Sequence, residues 1–325
     1  MCAKWNLGIR PRMIYAYITM FLARSAETAP DPFSEVVATL GARSVRGTGL
    51  EASGDWALTF DGRTRLKFVA VTRGRCWLLL PGHPPEALAE GDVILISNTS
   101  YTVASDPAVR PVDGMPFYAT PGQDVLRIGA GDQVVMMGGG SGFADSGAAF
   151  VLEALPTFLR VNRDSPTAEA VTRTLEALRT EVSNPSVGGW LVAERLAEIL
   201  VIAAVRAYVA TRPSGAVGWI TALADPRIGK SLRLLHGDVA RRWTVPMLAA
   251  EVGMSRSSFT ERFVTLVGYP PLGYLIRWRM VLAQRKLAAG GAVATVAADV
   301  GYNSQSAFAH AFKRTMGRTP RSRDD

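Results

Sequence analysis

Apolar positions recur with different periods along the chain, and each change of period marks a new part. Between positions 33 and 128 the period is two. Trp56-Ala57-Leu58-Thr59-Phe60 alternates, and the apolar runs 66–72, 75–80 and 93–96 are bounded by Gly74, by Gly82-His83-Pro84-Pro85 and by Gly91-Asp92. Short strands separated by turn residues, with no helical period between them, predict an antiparallel barrel or sandwich. Arg73-Gly74 reads as the turn of a tight hairpin. The glycine-rich stretch 138–147 lacks the Lys and the following helix of a phosphate cradle, so it reads as a loop.

From Phe150 the period becomes helical. A helix over 167–181 carries Val171, Leu175 and Leu178 on one face, and Asn184-Pro185 and Gly188-Gly189 end it. The next helix, 191–210, carries Leu191, Leu196, Ile199, Ile202 and Ala203. That stripe is wider than packing on one sheet domain requires, and it suggests a dimer seam as well as a core face. Pro213, Ser214 and Gly215 mark residues 211–224 as a linker. Asp225-Pro226 then opens a last domain as N-cap and first helical residue, with Ile228, Leu232, Leu235 and Val239 along one face.

Within that domain the pattern is stated twice. Leu248-Ala249-Ala250-Glu251-Val252-Gly253-Met254 precedes Phe259 and Phe263, and Val296-Ala297-Ala298-Asp299-Val300-Gly301-Tyr302 precedes Phe308 and Phe312. The glycines lie 48 positions apart and the phenylalanines 49. Each copy is a short apolar helix, a glycine turn and a second helix, which is the pattern of a helix-turn-helix. Residues 271–289 read as one joining helix spanning about 28 Å at roughly 1.5 Å per residue. Two second helices about one duplex turn apart, roughly 34 Å, suit double-stranded DNA better than a generic bundle.

Charge strengthens this reading. From Pro226 onward there are 16 Lys+Arg and 6 Asp+Glu, whereas residues 1–225 hold 20 and 22, so the overall +8 resides in the last hundred residues. Such segregation is the footprint of a polyanion partner. The two cysteines, Cys2 and Cys76, exclude a disulfide scaffold and a Cys-based zinc site, and they fit a reducing cytoplasm. No stretch reaches the roughly 18 apolar residues of a membrane span. Residues 1–29, in which Lys4, Arg10 and Arg12 precede an apolar run diluted by Tyr15, Tyr17 and Thr19, read as an unstructured leader rather than a signal peptide.

Ser255 reads as the cap of a recognition helix beginning at Arg256, and Asn303 as the cap of one beginning at Ser304. With the phenylalanines inward, the exposed faces carry Arg256, Ser257, Thr260 and Glu261, then Gln305, Ser306, Ala309 and His310. Gln305 can pair bidentately with adenine, and His310 can donate to guanine or phosphate. Arg256, Arg262, Lys313 and Arg314 are placed for phosphate.

Residues 226–325 resemble the DNA-binding domain of the AraC/XylS family of bacterial transcription regulators. The resemblance is carried by Leu248-Ala249, Gly253-Met254-Ser255, Phe259, Phe263, Arg277-Trp278-Arg279-Met280, Val296-Ala297, Phe312 and Gly317 with Thr319-Pro320. It implies Ser257, Thr260, Glu261, Gln305, Ser306, Ala309 and His310 as base-facing positions. Glu261 is awkward there, since a carboxylate can only accept, for example from cytosine. The first half is similar to the cupin-like sensor domain of that family through residues 32–40, Leu66-Lys67-Phe68, Gly74, Cys76-Trp77-Leu78, Gly91-Asp92-Val93 and Val103-Ala104-Ser105-Asp106. Where cupin enzymes carry metal-binding histidines, this chain aligns Lys67, Val69 and Thr102 or Tyr101. His83, His236 and His310 are its three histidines, and no metal site can be assembled from them.

The expected architecture is therefore multidomain. An all-β cupin-like barrel with a C-terminal helical hairpin (30–210) leads through a linker (211–224) to an all-α domain with two helix-turn-helix units (225–325). The expected function is a cytoplasmic, homodimeric, sequence-specific regulator of transcription, neither an enzyme nor cofactor-dependent, which would contact RNA polymerase if it acts as an activator. Lys67, Val69 and Val71 should share the inward face of their strand, and Lys67 with Trp77 and Tyr101 should hold an anionic small-molecule effector. The competing readings are a cupin-type enzyme fused to a DNA-binding domain, and a constitutive dimeric DNA-binding protein.

Overall fold

The computed structural model describes residues 31–40, 43–62, 65–120, 124–142, 148–161, 166–184, 186–211 and 215–320; the leader expected at 1–29 lies outside them. The elements run α1 (Pro32–Leu40), β1 (Arg43–Ala52), β2 (Ala57–Phe60), β3 (Arg65–Arg73), β4 (Arg75–Leu79), β5 (Glu86–Ala89), β6 (Val93–Ser97), β7 (Tyr101–Ala104), β8 (Val112–Asp113), β9 (Val125–Ile128) and β10 (Val134–Gly142). Then come α2 (Ala148–Leu152), β11 (Phe158–Val161), α3 (Glu169–Ser183), α4 (Gly189–Thr211), α5 (Trp219–Ala222), α6 (Pro226–Gly237), α7 (Val245–Glu251), α8 (Arg256–Val267), α9 (Pro271–Ala288), α10 (Val293–Asp299) and α11 (Gln305–Met316).

The strands form two sheets and no closed barrel, which corrects the all-β barrel expected from the sequence. One sheet has the order β11-β6-β3-β10-β1-β9 and the other β5-β4-β7-β2-β8. Both are mixed, because β1 pairs β9 and β2 pairs β8 in parallel while the other ladders are antiparallel. The expected hairpin at Arg73-Gly74 is also absent. β3 is paired on both edges, by β10 and β6, and β4 by β5 and β7, so the chain changes sheets at Gly74. Gly74 sits at φ +81°, and a Cβ there would lie 2.0 Å from the Gln133 carbonyl oxygen, so the corner requires glycine.

The inner faces of the two sheets interdigitate in one core. Leu50, Val69, Val71, Ile94 and Met136 come from the six-stranded sheet, and Leu58, Cys76, Leu78 and Val103 from the other. The alternate residues of β3, Leu66, Phe68 and Ala70, turn the other way into a second core built with helices. That second core does not stop at the end of the first half. It runs from Val36, Phe150, Leu175 and Leu200 through Trp219 to Ile228, Leu248, Phe259, Phe263 and Trp278. Trp219, within the stretch that reads as a linker, is 3% exposed and donates its indole N–H to the Phe150 carbonyl oxygen at 2.8 Å. The second helix-turn-helix has its own small core of Met280, Val296, Val300, Phe308 and Phe312. Among the described residues no helix is long and apolar enough to cross a membrane.

Candidate nucleic-acid interface and effector pocket

The turns of the two repeats make the same backbone hydrogen bonds. The Gly253 N–H donates to Ala250 O at 3.1 Å and the Met254 N–H to Ala249 O at 2.9 Å; Gly301 and Tyr302 do the same to Ala298 O and Ala297 O at 2.9 and 2.8 Å. Both glycines have positive φ, +65° and +82°, which lets the chain reverse between helices. Ser255 caps α8, its Oγ accepting from the Ser258 N–H at 3.2 Å. Ser304 caps α11 by accepting from the Ala307 N–H at 3.2 Å. The second cap is therefore Ser304, not Asn303, and the helix begins one residue later than the sequence suggests. Gly268 and Gly317, both left-handed, end the two recognition helices.

Phe259, Phe263, Phe308 and Phe312 are each at most 1% exposed, which orients both helices. Ser257, Glu261, Gln305, Ser306 and His310 are exposed, and Thr260 and Ala309 half-buried. The Thr260 hydroxyl donates to Arg256 O at 2.9 Å, so its oxygen remains an acceptor. Arg256, Lys313 and Arg314 are exposed cations. Arg262 is placed differently. Its guanidinium grips Asp225, the N-cap of α6, with the Nε–H donating at 3.1 Å. The Asp225 carboxyl is held below its usual range by hydrogen bonds from Arg262 and from the Ile228 and Arg227 amides, against the opposing effect of burial. Arg262 thus braces α8 against α6, a role the sequence reading missed.

A cavity of about 170 Å³ opens between the sheets in the first half. Lys67, Val69 and Tyr101 line it, with Arg65, Phe60, Tyr118 and the backbone of Gly138–Gly140. The inward facing of Lys67 and Val69 is as the strand period predicts, and Val71 continues that face into the inter-sheet core. The Lys67 ammonium lies 5.8 Å from the centroid of the Phe60 ring. Burial, with Arg65 adding to it, holds its pKa below the usual lysine value. Tyr101 is 6% exposed and burial pushes its phenol up; Tyr118 is pushed up to about 12 by burial and donates to Gly49 O at 2.9 Å. Trp77 is not part of this group. It alternates with Cys76 and Leu78, which enter the inter-sheet core, so it faces the opposite side of its sheet. Arg65, Tyr118 and Met115 went unnoticed in the sequence because the strand period alone does not say which loop closes the mouth. Among the described residues no cluster of His, Cys, Asp or Glu could hold a metal. His83 lies in a turn, and His236 is buried between Glu35 and Tyr274.

Residues 31–210 match the family described as Cupin, and residues 248–323 the family described as Helix-turn-helix domain. A protein of Streptomyces lividans described as an AraC-like transcription regulator is 41% identical over 293 residues, covering 89% of this chain and 96% of its own length. One of Streptomyces antibioticus with the same description is 40% identical over 293 residues, covering 89% and 97%. Among solved structures, the DNA-binding domain of AdpA in complex with a target DNA is 34% identical over 30% of this chain and 86% of that one, with a TM-score of 0.28.

Proposed function

The chain belongs to the AraC/XylS family of transcription regulators, with a cupin-like first half and a DNA-binding helix-turn-helix domain, and we propose that it reads two successive major grooves under the control of a small anionic effector. The observation that carries the DNA reading is the repeat of two units with matching turns and serine-capped second helices on one helix, α9, of 18 residues. At roughly 1.5 Å per residue this helix spans about 27 Å, and the short turns at its ends extend the separation toward one duplex turn. Ser257, Thr260 and Glu261 face bases in one groove, and Gln305, Ser306, Ala309 and His310 in the next. Arg256, Lys313 and Arg314 hold phosphates.

Selection of bound duplexes from a random pool by the full-length protein tests this reading. A bipartite site about one helical turn apart is expected, with affinity falling steeply with salt. Arg256→Ala and Lys313→Ala should each weaken binding to specific and random duplexes alike and lower the salt slope by about one. Salt-independent binding, or one short contiguous site, would contradict it.

The effector reading rests on Lys67. A half-buried ammonium with no ion pair among the described residues, facing a cavity walled by Phe60, Val69 and Tyr101, is costly unless an anion meets it. A small carboxylate or phosphate is the fitting ligand, with the Lys67 ammonium donating to it and Tyr101 beside it. Lys67→Met should abolish the thermal-shift response to such a ligand without loss of DNA binding. An effector whose affinity is unchanged in that variant sinks the proposal.

A second copy of the chain is the proposed partner of α4. On its outer side Leu191 is 51% exposed and Ile199 50%, while Leu196 and Ile202 are half-buried and Ala203 turns inward. Burying each large apolar side chain contributes about 1.5–3 kcal/mol. Ile199→Asp should give folded monomers by analytical ultracentrifugation. A wild type that sediments as a monomer at micromolar concentration would refute the seam. Cytoplasmic location follows from a DNA target, and contact with RNA polymerase follows where the output is activation.

A further inference from the structure

The two recognition helices belong to different cores. The first unit packs into the large core shared with the sensor half, through Tyr274, Leu275, Trp278 and Val281 of α9. The second packs on the opposite side of the same helix, through Met280 and Ala283. Half-buried Leu282 and Met316 touch both cores and form a small apolar seam between the units. Among the described residues, Arg279 makes a polar bridge between the units. Arg279 of α9 is half-buried; its Nε–H donates to Val239 O at 2.8 Å and its Nη2 to Arg241 O at 2.9 Å, both in the turn leading into α7 of the first unit. That turn is itself stiffened, with the Arg241 guanidinium 4.1 Å from the Trp243 ring centroid and the Trp243 indole N–H donating to Asp238 O at 2.9 Å. On the other side the Arg279 guanidinium lies 5.8 Å from the ring centroid of Tyr302, in the turn of the second unit. The neighbouring Gly301 fits against both: a Cβ there would lie 2.4 Å from Ala240 O and 2.8 Å from Arg279 Nη2.

We propose that Arg279 is a positioning residue, a clasp that fixes the angle between the two helix-turn-helix units and thereby the spacing of the two DNA segments the protein accepts. Its guanidinium is planar, with donors in a fixed fork. Two bonds to one unit and a ring of the other leave it a single orientation. The consequence for spacing is geometric. Inserting one base pair moves the second segment by about 3.4 Å along the axis and by about a tenth of a turn around it. A rigid pair of units cannot follow that shift, whereas a loosened pair can. The spacing part of the inference rests on the two-groove reading above; the clasp itself does not.

The test therefore has a DNA-free arm. In full-length protein carrying C2S, spin labels at V264C on α8 and A298C on α10 report the distance between units. Cys76 stays unlabelled because it is 2% exposed and burial pushes its thiol up to about 12. Wild-type Arg279 should give one narrow distance distribution, and Arg279→Met one at least about twofold broader, with Arg279→Lys between them. In the DNA arm, unlabelled protein is titrated with the duplex selected from the random pool and with versions carrying one base pair more or fewer between the segments. Discrimination of about tenfold, the scale of one mismatched base pair, should fall below about threefold in Arg279→Met. An unchanged distribution overturns the clasp. A broader distribution with unaltered discrimination, or equal loss of affinity at every spacing, overturns its role in spacing. Should Arg279→Met fail to fold by circular dichroism, Tyr302→Leu, which removes the ring but keeps an apolar side chain, is judged by the same outcomes. A wild type that selects no bipartite site would overturn the two-groove reading, while the distance measurement still decides the clasp.

Discussion

Trp219→Ala is expected to cost about 3–5 kcal/mol of stability, the usual price of truncating a buried aromatic side chain, and to weaken the cupin-like half and the first helix-turn-helix together. The indole sits where the two halves meet. It stacks on Phe150 with centroids 5.4 Å apart, and Phe150 in turn stacks on Trp278 at 5.6 Å. His236 lies 4.7 Å from Trp278 and is held on both ring nitrogens, by Glu35 of α1 at 2.8 Å and by the Tyr274 hydroxyl at 2.7 Å. The arrangement that satisfies every group has Nδ1–H donating to the Glu35 carboxylate and the Tyr274 O–H donating to Nε2. Glu153 of the short segment after α2 adds an outer tie, accepting from the Arg277 guanidinium at 2.6 Å and the Tyr269 hydroxyl at 3.0 Å. Residues from five separated stretches thus form one cluster, and its loss exposes apolar surface on both sides. Urea unfolding followed by far-ultraviolet circular dichroism and tryptophan fluorescence should show a shared transition for these parts in the wild type, displaced to lower urea in the variant. Independent unfolding of the first unit in the wild type, or a cost under about 0.5 kcal/mol, within the range of an ordinary surface substitution, would refute the shared core.

That cluster also marks where the sequence stops being legible. The helix-turn-helix repeat could be read because its signals are local: a glycine that must take positive φ and phenylalanines four apart on a buried face. The joining helix was expected at 271–289 and runs Pro271–Ala288, and the stripe at 191–210 lies within Gly189–Thr211. Strand period likewise put Lys67, Val69 and Val71 on one face. What it could not supply was the identity of edge partners, because alternation fixes the facing of a strand and says nothing of its neighbour. Hence the barrel that is two open sheets, the hairpin at Gly74 that is a corner between them, and Trp77, expected beside Lys67 on a neighbouring strand but pointing out of the opposite sheet. The Asn303 and Ser304 capping difference is a choice between two good capping residues one position apart, which sequence cannot decide. Glu35, Phe150, Trp219, His236, Tyr274 and Trp278 meet only in three dimensions, and no periodicity links them. Arg262 belongs to the same class, since its partner Asp225 lies 37 residues away.

The proposed base readout gives the other large effect. Gln305→Ala and Thr260→Ala should each cost about 1–3 kcal/mol of discrimination at one position of the selected site, the range of a side chain reading a base edge. The affected positions should lie about one helical turn, roughly 10 base pairs, apart. Gln305 is the first residue of α11, exposed, with its amide unengaged by the Ser304 cap, whose Oγ accepts from Ala307 instead. Both its donor and its acceptor are therefore available for the proposed pairing with an adenine edge. Thr260 is half-buried and spends its hydroxyl proton on Arg256 O, leaving an acceptor and a methyl group for the groove. Its loss should consequently sit toward the lower end of that range and that of Gln305 toward the upper. Loss at Thr260 should also fall on a base presenting a donor, such as the amino group of cytosine or adenine, or on a thymine methyl. Each alanine variant is measured by selection from a pool randomised at every base pair of the wild-type site, with affinity to random duplex as the reference. Relaxation of both variants at the same base pair would contradict two units in two grooves. A uniform weakening across all sequences, without relaxed preference at any position, would move these residues from base readout to backbone contact.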